Sequence, residues 1–194
     1  MVLIKYKDKI GENVMKIICY FTLLMIIGCS NNTRKWYPTK TAIYNSSSFQ
    51  VGDIIVKDKL ITDPISWMGH SSVIVDDNII GDFPKLGEKY YTIDINSWLN
   101  EPERRVVVLR YEHFDESFKQ KFLENIKLYG KGKYKMSFSK KTPDNFYCSK
   151  FVWFLFFKTA QDLGYNLDLD SDGGPIVFPY DFLKSPLLKE VYQN

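Results

Sequence analysis

Hydrophobic and polar positions along the middle of the chain follow the patterns expected of strands in a sheet. The β-branched segments are Val51–Val56, Ser71–Val75, Ile79–Ile80 and Arg105–Tyr111. Asp76, Asp77 and Asn78 separate the second segment from the third, and residues of these types favour a tight hairpin turn. The pattern therefore predicts an antiparallel sheet with a β-hairpin at its centre.

Helical spacing follows these strands. Short helical turns are predicted over Ile61–Trp67 and Asp94–Asn100. Asp115 can cap a longer helix that stops at Gly130 and carries Phe118, Phe122, Leu123, Ile126 and Tyr129 on one face. A last helix is predicted from Asp144 to Gly164, and its centre, Phe151–Phe157, is apolar on every side. Such a helix is buried, and strands and helices that do not alternate as βαβ units predict an α+β fold, with the antiparallel sheet packed on this central helix.

The N-terminus has the pattern of an export signal. Lys16 precedes an uncharged apolar run over Ile17–Ile27, which is shorter than the roughly 20 residues that span a bilayer. The run ends in Ile26-Ile27-Gly28-Cys29, which resembles a bacterial lipobox, and the alternative is a buried N-terminal helix. We expect residues 1–28 to be a signal peptide and Cys29 to be lipidated. The residues before Met15 are either a long n-region or lie upstream of a true start at Met15, and we favour the second. Residues 29–48 are then a polar tether and residues 49–194 the folded domain.

Composition narrows the functional classes. The 194 residues are 45% hydrophobic and 25% charged, which excludes a disordered chain and a multi-span membrane protein. A net charge of +3 is too small to indicate a nucleic-acid partner. Of the three cysteines, only Cys148 remains as a thiol after signal removal and lipidation. Exported proteins use cysteines mainly as disulfide pairs, so a lone thiol indicates a chemical role, with an inert buried cysteine as the alternative.

The residues around this thiol suit a nucleophile. Cys148 lies in the first turn of the buried helix, where the macrodipole and free N–H groups favour a thiolate. His70 begins a strand and is the candidate base, whereas His113 lies in a polar connection that we expect at the surface. Asp82 follows the hairpin strand and should lie close to His70 as its orienting acid. The alternatives are a core histidine and an acid that only ends a strand.

Five motifs, in this order, resemble the YiiX/YaeF-type permuted papain-like enzymes, which are circularly permuted relatives of the NlpC-like cell-wall peptidases. They are Gly52–Ile55, Gly69–His70, Val107–Arg110, Tyr147–Trp153 and Ile176–Leu183. The resemblance covers residues 51–188 and implies a circularly permuted papain-like fold. It also implies Cys148 as nucleophile, His70 as base and Asp82 as orienter, with Tyr147 and Ser149 supporting the oxyanion site.

These observations predict an envelope-anchored cysteine hydrolase that cleaves an amide bond in cell-wall peptides, using no metal or other cofactor. The alternatives are a lipid acyl hydrolase or acyltransferase of the same fold and a non-catalytic binding lipoprotein. We expect a monomer held by its Cys29 lipid on the extracytoplasmic side of a bacterial membrane, with a peptide or lipid substrate and no nucleic acid.

Three further patterns concern an acidic loop, a group of lysines and the tryptophans. Asp168, Asp170 and Asp172 match the start of an EF-hand loop, but Pro179 stands where that loop needs a glutamate, so we expect a solvated acidic loop. The lysines before Cys148 have two interpretations. They attract anionic lipid headgroups or an acidic wall polymer, or they belong to a solvated basic loop with no binding role. They are Lys131, Lys133, Lys135, Lys140 and Lys141. Three tryptophans, Trp67, Trp98 and Trp153, are predicted to be core residues.

Overall fold

A computed structural model describes residues 34–60 and 67–191. The strands are β1 Tyr37–Pro38, β2 Ile54–Lys57, β3 His70–Asp76, β4 Ile79–Asp82, β5 Tyr91–Asp94, β6 Arg105–Tyr111 and β7 Leu188–Glu190. The helices are α1 Thr39–Tyr44, α2 Ile95–Trp98, α3 Glu116–Tyr129, α4 Cys148–Asp162 and α5 Asp181–Lys184. A single 3₁₀ turn over Ser46–Ser48 follows α1.

The strands form one antiparallel sheet in the order β1-β6-β2-β3-β4-β5, and β7 pairs with β6. The predicted hairpin is present as β3 and β4, with Asn78 in its turn at a φ of 56°. Asparagine tolerates this left-handed conformation better than most residues, which is why the turn forms here. The register places Val73 opposite Gly81 and so fixes which residues meet at the open end of the hairpin.

Both faces of the sheet are covered, and β6 shows how the sequence achieves this. Val107 and Leu109 point into the core shared with α3 and α4, whereas Val106 and Val108 point into the core that contains Ala42 of α1. Helix α4 packs against β3 and α3. Each large apolar side chain buried in this way contributes roughly 1.5–3 kcal/mol to the free energy of unfolding. The predicted α+β fold, with its antiparallel sheet and buried central helix, is confirmed.

The predicted bounds hold for α3 and fail for α4. The Asp115 carboxylate accepts the Phe118 backbone N–H at 2.8 Å, so α3 starts where its N-cap predicts. Helix α4 begins at Cys148 and not at Asp144, because the preceding residues form a turn. Asn145 has a φ of 51° in that turn, and the Lys150 ammonium donates to the Asp144 carbonyl oxygen at 2.6 Å. The nucleophile candidate is therefore the first residue of the helix.

The expectation of a polar tether over residues 29–48 is wrong from residue 34 onward. Tyr37 in β1 pairs with Val106 in β6, and Ala42 in α1 is fully buried. The guanidinium of Arg34 donates to the carbonyl oxygens of Leu183, Ser185 and Leu188. These contacts join the segment to the far end of the chain.

Several predictions lie outside the described residues. They are the signal peptide, the lipidated Cys29, the tether up to residue 33 and most of the helical turn over Ile61–Trp67. Within 34–60 and 67–191, no helix has the length and apolar character that crossing a bilayer requires.

Two of the sequence motifs meet in a buried ion pair. The Arg110 guanidinium donates to both carboxylate oxygens of Asp53 at 2.7 Å, and the Asp53 side chain is 1% exposed. Gly52, the preceding residue, has a φ of 91°, and the Phe114 ring lies 2.3 Å from where a Cβ would stand. The pair and this close contact fix the start of β2 against β6, which is a structural role.

Candidate active site

Cys148, His70 and Asp82 meet at one end of the sheet. His70 begins β3, Asp82 ends β4, and Cys148 begins α4, which packs on β3. The register of the hairpin makes Asp82 the diagonal cross-strand neighbour of His70 on the same face. His70 Nε2 lies 2.9 and 2.8 Å from the two carboxylate oxygens of Asp82. The structure thus brings together the three residues singled out by sequence.

The thiol and the imidazole stabilise each other in their charged forms. Since Asp82 binds Nε2, the ring has Nδ1 left for Cys148, to which His70 is hydrogen-bonded. Burial alone raises the pKa of the Cys148 thiol, but the His70 charge and hydrogen bond outweigh burial and lower that pKa overall. Burial alone lowers the pKa of His70, but the negative charges of Asp82 and Cys148 outweigh burial and raise this pKa to about 10. The contact therefore favours the charged forms of both groups, a thiolate beside an imidazolium.

Two further donors face the sulfur. The Ser71 backbone N–H lowers the pKa of Cys148, and the Tyr134 hydroxyl lies near enough to Cys148 for the thiolate charge to raise its own pKa. The Tyr134 hydroxyl also donates to Met136 Sδ at 3.9 Å. Burial, followed by the Cys148 charge, raises the pKa of Tyr134, so its hydroxyl stays protonated and able to donate. Sequence reasoning missed Tyr134, because nothing local distinguishes it within the lysine-rich loop; only the fold brings it to the thiol.

A second missed residue holds the carboxylate. The Trp98 indole N–H donates to Asp82 Oδ2 at 2.9 Å, and the Trp98 ring lies 5.8 Å from His70 between centroids. On the other side, Lys57 Nζ lies 3.7 Å from the Trp98 ring centroid and donates to Glu101 at 2.7 Å. Trp98 is a core residue as predicted, but its indole also fixes the orientation of Asp82.

Tyr147 and Ser149, the predicted oxyanion supports, bind one residue of the cavity wall. The Val177 backbone N–H donates to the Tyr147 hydroxyl oxygen at 3.0 Å, and the Ser149 hydroxyl donates to the Val177 carbonyl oxygen at 2.7 Å. Their side chains therefore hold the segment 176–179 beside Cys148. His113 is exposed and packs on Tyr111, as expected of a surface histidine.

Two cavities of different character share His70. The first, of about 220 Å³, opens beside Cys148, and its lining is mostly apolar. Its apolar residues include Met68, Leu86, Met136, Ile176, Phe178 and Pro179. The second, of about 390 Å³, is mostly polar and has Lys57, Glu101 and Arg104 in its wall. The His70 side chain therefore lines both the apolar and the polar cavity.

The acidic loop is docked onto the fold and not simply solvated. Asp170 is buried and forms an ion pair with Lys140, which also lies 3.7 Å from Asp168. Oxygen atoms of Asp170, Asp172 and Asp181 lie within 4.8 Å of one another, the one acidic cluster of this kind in the described part of the chain. Backbone N–H groups donate to Asp172 and Asp181, so these carboxylates have partners within the protein.

Comparison with known proteins supports the fold. No protein-family model and no curated protein matches the sequence. The crystal structure of the metalloprotein yiiX from Escherichia coli O157:H7 is similar, with a TM-score of 0.52 and 22% sequence identity. The match covers 75% of this chain and 97% of that one. The chain therefore has a YiiX-like α+β fold.

Proposed function

We propose that this protein is a cysteine hydrolase that cleaves an amide or ester bond through an acyl-enzyme on Cys148. The observation that carries the proposal is the contact of one buried thiol with an imidazole whose far nitrogen is held by Asp82. This is the arrangement by which a nucleophile, a base and an orienting acid act together.

The reaction would start from the ion pair. The Cys148 thiolate attacks the substrate carbonyl carbon, and the His70 imidazolium gives its proton to the leaving amine or alcohol. Water then attacks the thioester while His70 takes one of its protons, and the carboxylic acid leaves as the Cys148 thiolate forms again. Asp82 keeps Nε2 protonated and the ring oriented throughout.

Charge on the tetrahedral oxyanion needs donors beside the sulfur. The first backbone N–H groups of α4 have no partner within the helix, and their dipoles favour negative charge. The Tyr134 hydroxyl also lies at the sulfur and is protonated at neutral pH. We assign the oxyanion site to these groups, with Tyr147 and Ser149 holding the adjacent wall through Val177.

The two cavities favour a substrate with an apolar acyl group and a polar leaving group. The acyl carbon must reach Cys148, which opens into the apolar cavity. The leaving group must reach His70 for its proton, and His70 also lines the polar cavity. A lipid amide or ester has both parts, so the acyl hydrolase alternative is the better fit to the apolar lining.

An amide bond in a cell-wall peptide is the second candidate. The observation that favours it is the charged wall of the polar cavity, where the half-exposed Glu101 carboxylate can pair with a cationic group of a peptide. In either case we place the activity on the extracytoplasmic side of a membrane, with the predicted Cys29 lipid as anchor.

The test is acyl-enzyme formation by the full chain. A long-chain acyl thioester, a long-chain acyl amide and muropeptides are supplied separately, and the peptide that contains Cys148 is examined by mass spectrometry for the acyl adduct. Cys148→Ala and His70→Ala should abolish turnover, whereas His113→Ala is the matched control for the chain's other histidine and should retain it. Absence of adduct and turnover with all three substrates would favour the binding-protein alternative.

A further inference from the structure

Two loops lie side by side next to the apolar cavity. They are residues 84–89 and 131–138, which we call the lip. The Tyr134 backbone N–H donates to Glu88 O at 2.6 Å, and the Gly87 N–H donates to Tyr134 O at 3.1 Å. Lys89 and Lys133 form an isolated β-bridge. These bonds make the two loops one surface, although more than 40 residues separate them in sequence.

The lip exposes large apolar side chains. Leu86 is 73% exposed, Phe138 is 79% exposed and Met136 is 41% exposed. Leu86 and Met136 also line the cavity beside Cys148, and Phe138 is only two residues from Met136. Exposed apolar groups concentrated at the entrance of a site indicate an interaction surface and not chance exposure.

The same lip is strongly basic. It contains the five lysines Lys85, Lys89, Lys131, Lys133 and Lys135, against the single acid Glu88, which pairs with Lys85. Five lysines against one acid give the lip a net charge of +4, which is larger than the +3 of the entire protein. Lysines that alternate with exposed apolar side chains along the same two loops are complementary to a surface that is apolar within and anionic at its boundary.

We propose that the lip docks onto an anionic lipid bilayer, with Leu86, Met136 and Phe138 entering the interface and the lysines contacting the headgroups. An acidic wall polymer would use the lysines but would gain nothing from the three apolar side chains, so the bilayer is the better fit. Docking by the lip turns the cavity entrance toward the membrane surface. The inference goes beyond the proposed hydrolase and does not depend on it, because binding by this surface needs no reaction at Cys148.

The experiment must separate docking by the lip from binding by the apolar N-terminal segment. We would introduce a fluorescent reporter by Phe138→Trp in the full chain carrying Cys148→Ala. The matched control is Tyr44→Trp in the same background, because Tyr44 is 87% exposed on α1, which packs on the opposite face of the sheet. Both proteins share the same N-terminus, and the parent chain supplies the signal of the native tryptophans for subtraction.

Vesicles of phosphatidylcholine, with and without phosphatidylglycerol, would contain acyl-brominated lipid as a quencher. We expect a blue shift and quenching at position 138 on the anionic vesicles and neither at position 44. Lys133→Gln with Lys135→Gln should lower the docking equilibrium, measured as the ratio of quenched to unquenched signal from position 138, by roughly 25-fold. Lys40→Gln on α1 is the control for loss of a surface charge and should leave that ratio unchanged.

Two results would overturn the proposal. Equal behaviour of positions 138 and 44 means that the lip does not meet the bilayer. Binding that depends on the two lysines without quenching at position 138 means a charged surface such as a wall polymer. Because the reporter chains lack the thiol, either result leaves the hydrolase proposal standing, and failure of the acyl-enzyme test leaves this one standing.

Discussion

The ion pair at the candidate site can be tested by removing one charge. Asp82→Asn keeps the shape of the side chain, and its amide oxygen can accept from both His70 and the Trp98 indole, because these donors lie 2.8 and 2.9 Å from the same carboxylate oxygen. The negative charge of Asp82 favours protonated His70, so its loss lowers the pKa of His70 from about 10. The same charge opposes the thiolate, so its loss also lowers the pKa of Cys148.

The expected shift in the pKa of His70 follows from the weakening of its hydrogen bond to residue 82. A hydrogen bond to a charged group contributes about 1.5–3 kcal/mol, and one pH unit corresponds to about 1.4 kcal/mol. The alkaline limit of the ion pair should therefore fall by about one to two pH units. Because the pKa values of Cys148 and His70 both fall, the pH range in which the thiolate–imidazolium pair exists would shift to lower pH.

The assay compares an anionic and a neutral alkylating agent. Iodoacetate is attracted by the imidazolium and iodoacetamide is not, so the ratio of their rates at Cys148 reports the charge on His70. The full chain is labelled over a range of pH, and the Cys148 peptide is quantified by mass spectrometry so that Cys19 and Cys29 do not interfere. The matched control is Asp76→Asn, which makes the same chemical change at an exposed aspartate at the other end of the strand that His70 begins.

The ratio should decline with a midpoint near pH 10 in the unaltered chain and at lower pH in Asp82→Asn, with Asp76→Asn unchanged. A ratio that stays flat from acid to alkaline pH would refute the imidazolium. An unchanged midpoint in Asp82→Asn would refute the role of Asp82, even if the thiol remained reactive.

Three other substitutions test neighbouring parts of the structure. Arg110→Ala leaves the buried Asp53 carboxylate without its partner and should lower the free energy of unfolding by about 3–5 kcal/mol in urea, whereas Arg105→Ala, with a side chain 59% exposed, should change it by less than about 1 kcal/mol. Tyr134→Phe removes a hydroxyl beside the thiol and should slow turnover about 100-fold or more; an unchanged rate excludes it from the oxyanion site. Tyr147→Phe removes the acceptor of the Val177 N–H and should lower the free energy of unfolding by about 1 kcal/mol. It should also raise KM more than it lowers kcat, whereas a larger effect on kcat would indicate that Tyr147 belongs to the oxyanion site.

The parts of the fold that sequence predicts are those set by neighbours along the chain. Strand β6 has the predicted bounds, Arg105–Tyr111, because its β-branched run is continuous and buried on both faces. The hairpin follows from the turn residues between β3 and β4. The turn brings Asp82 close to His70 along the chain, but the face that Asp82 occupies could not be predicted. The turn pairs Asp76 with Ile79, and only the register shift between Ile74 and Asp76 puts the Asp82 side chain on the same face as His70.

Residues whose role depends on contacts distant in sequence could not be found in this way. Strand β1 has two residues, too few for any periodic signal, and it forms because β6 offers a free edge. Trp67 was predicted to be buried from its apolar neighbours but is 64% exposed, because hydropathy alone cannot show whether a packing partner is present.

The role of Tyr134 could not be predicted either, because it depends on contacts distant in sequence. This residue also links the lip to the candidate active site. Its hydroxyl lies near Cys148, while its backbone N–H and carbonyl hold the two loops of the lip to each other through Glu88 and Gly87. A perturbation of the lip that moves this backbone therefore also moves a donor at the sulfur. If the lip docks on a bilayer, Tyr134 is the residue through which docking can alter the reactivity of the thiol, so the pH profile of Cys148 alkylation should be measured with and without anionic vesicles. A profile that is the same in both conditions would show that the two functions of Tyr134 are independent.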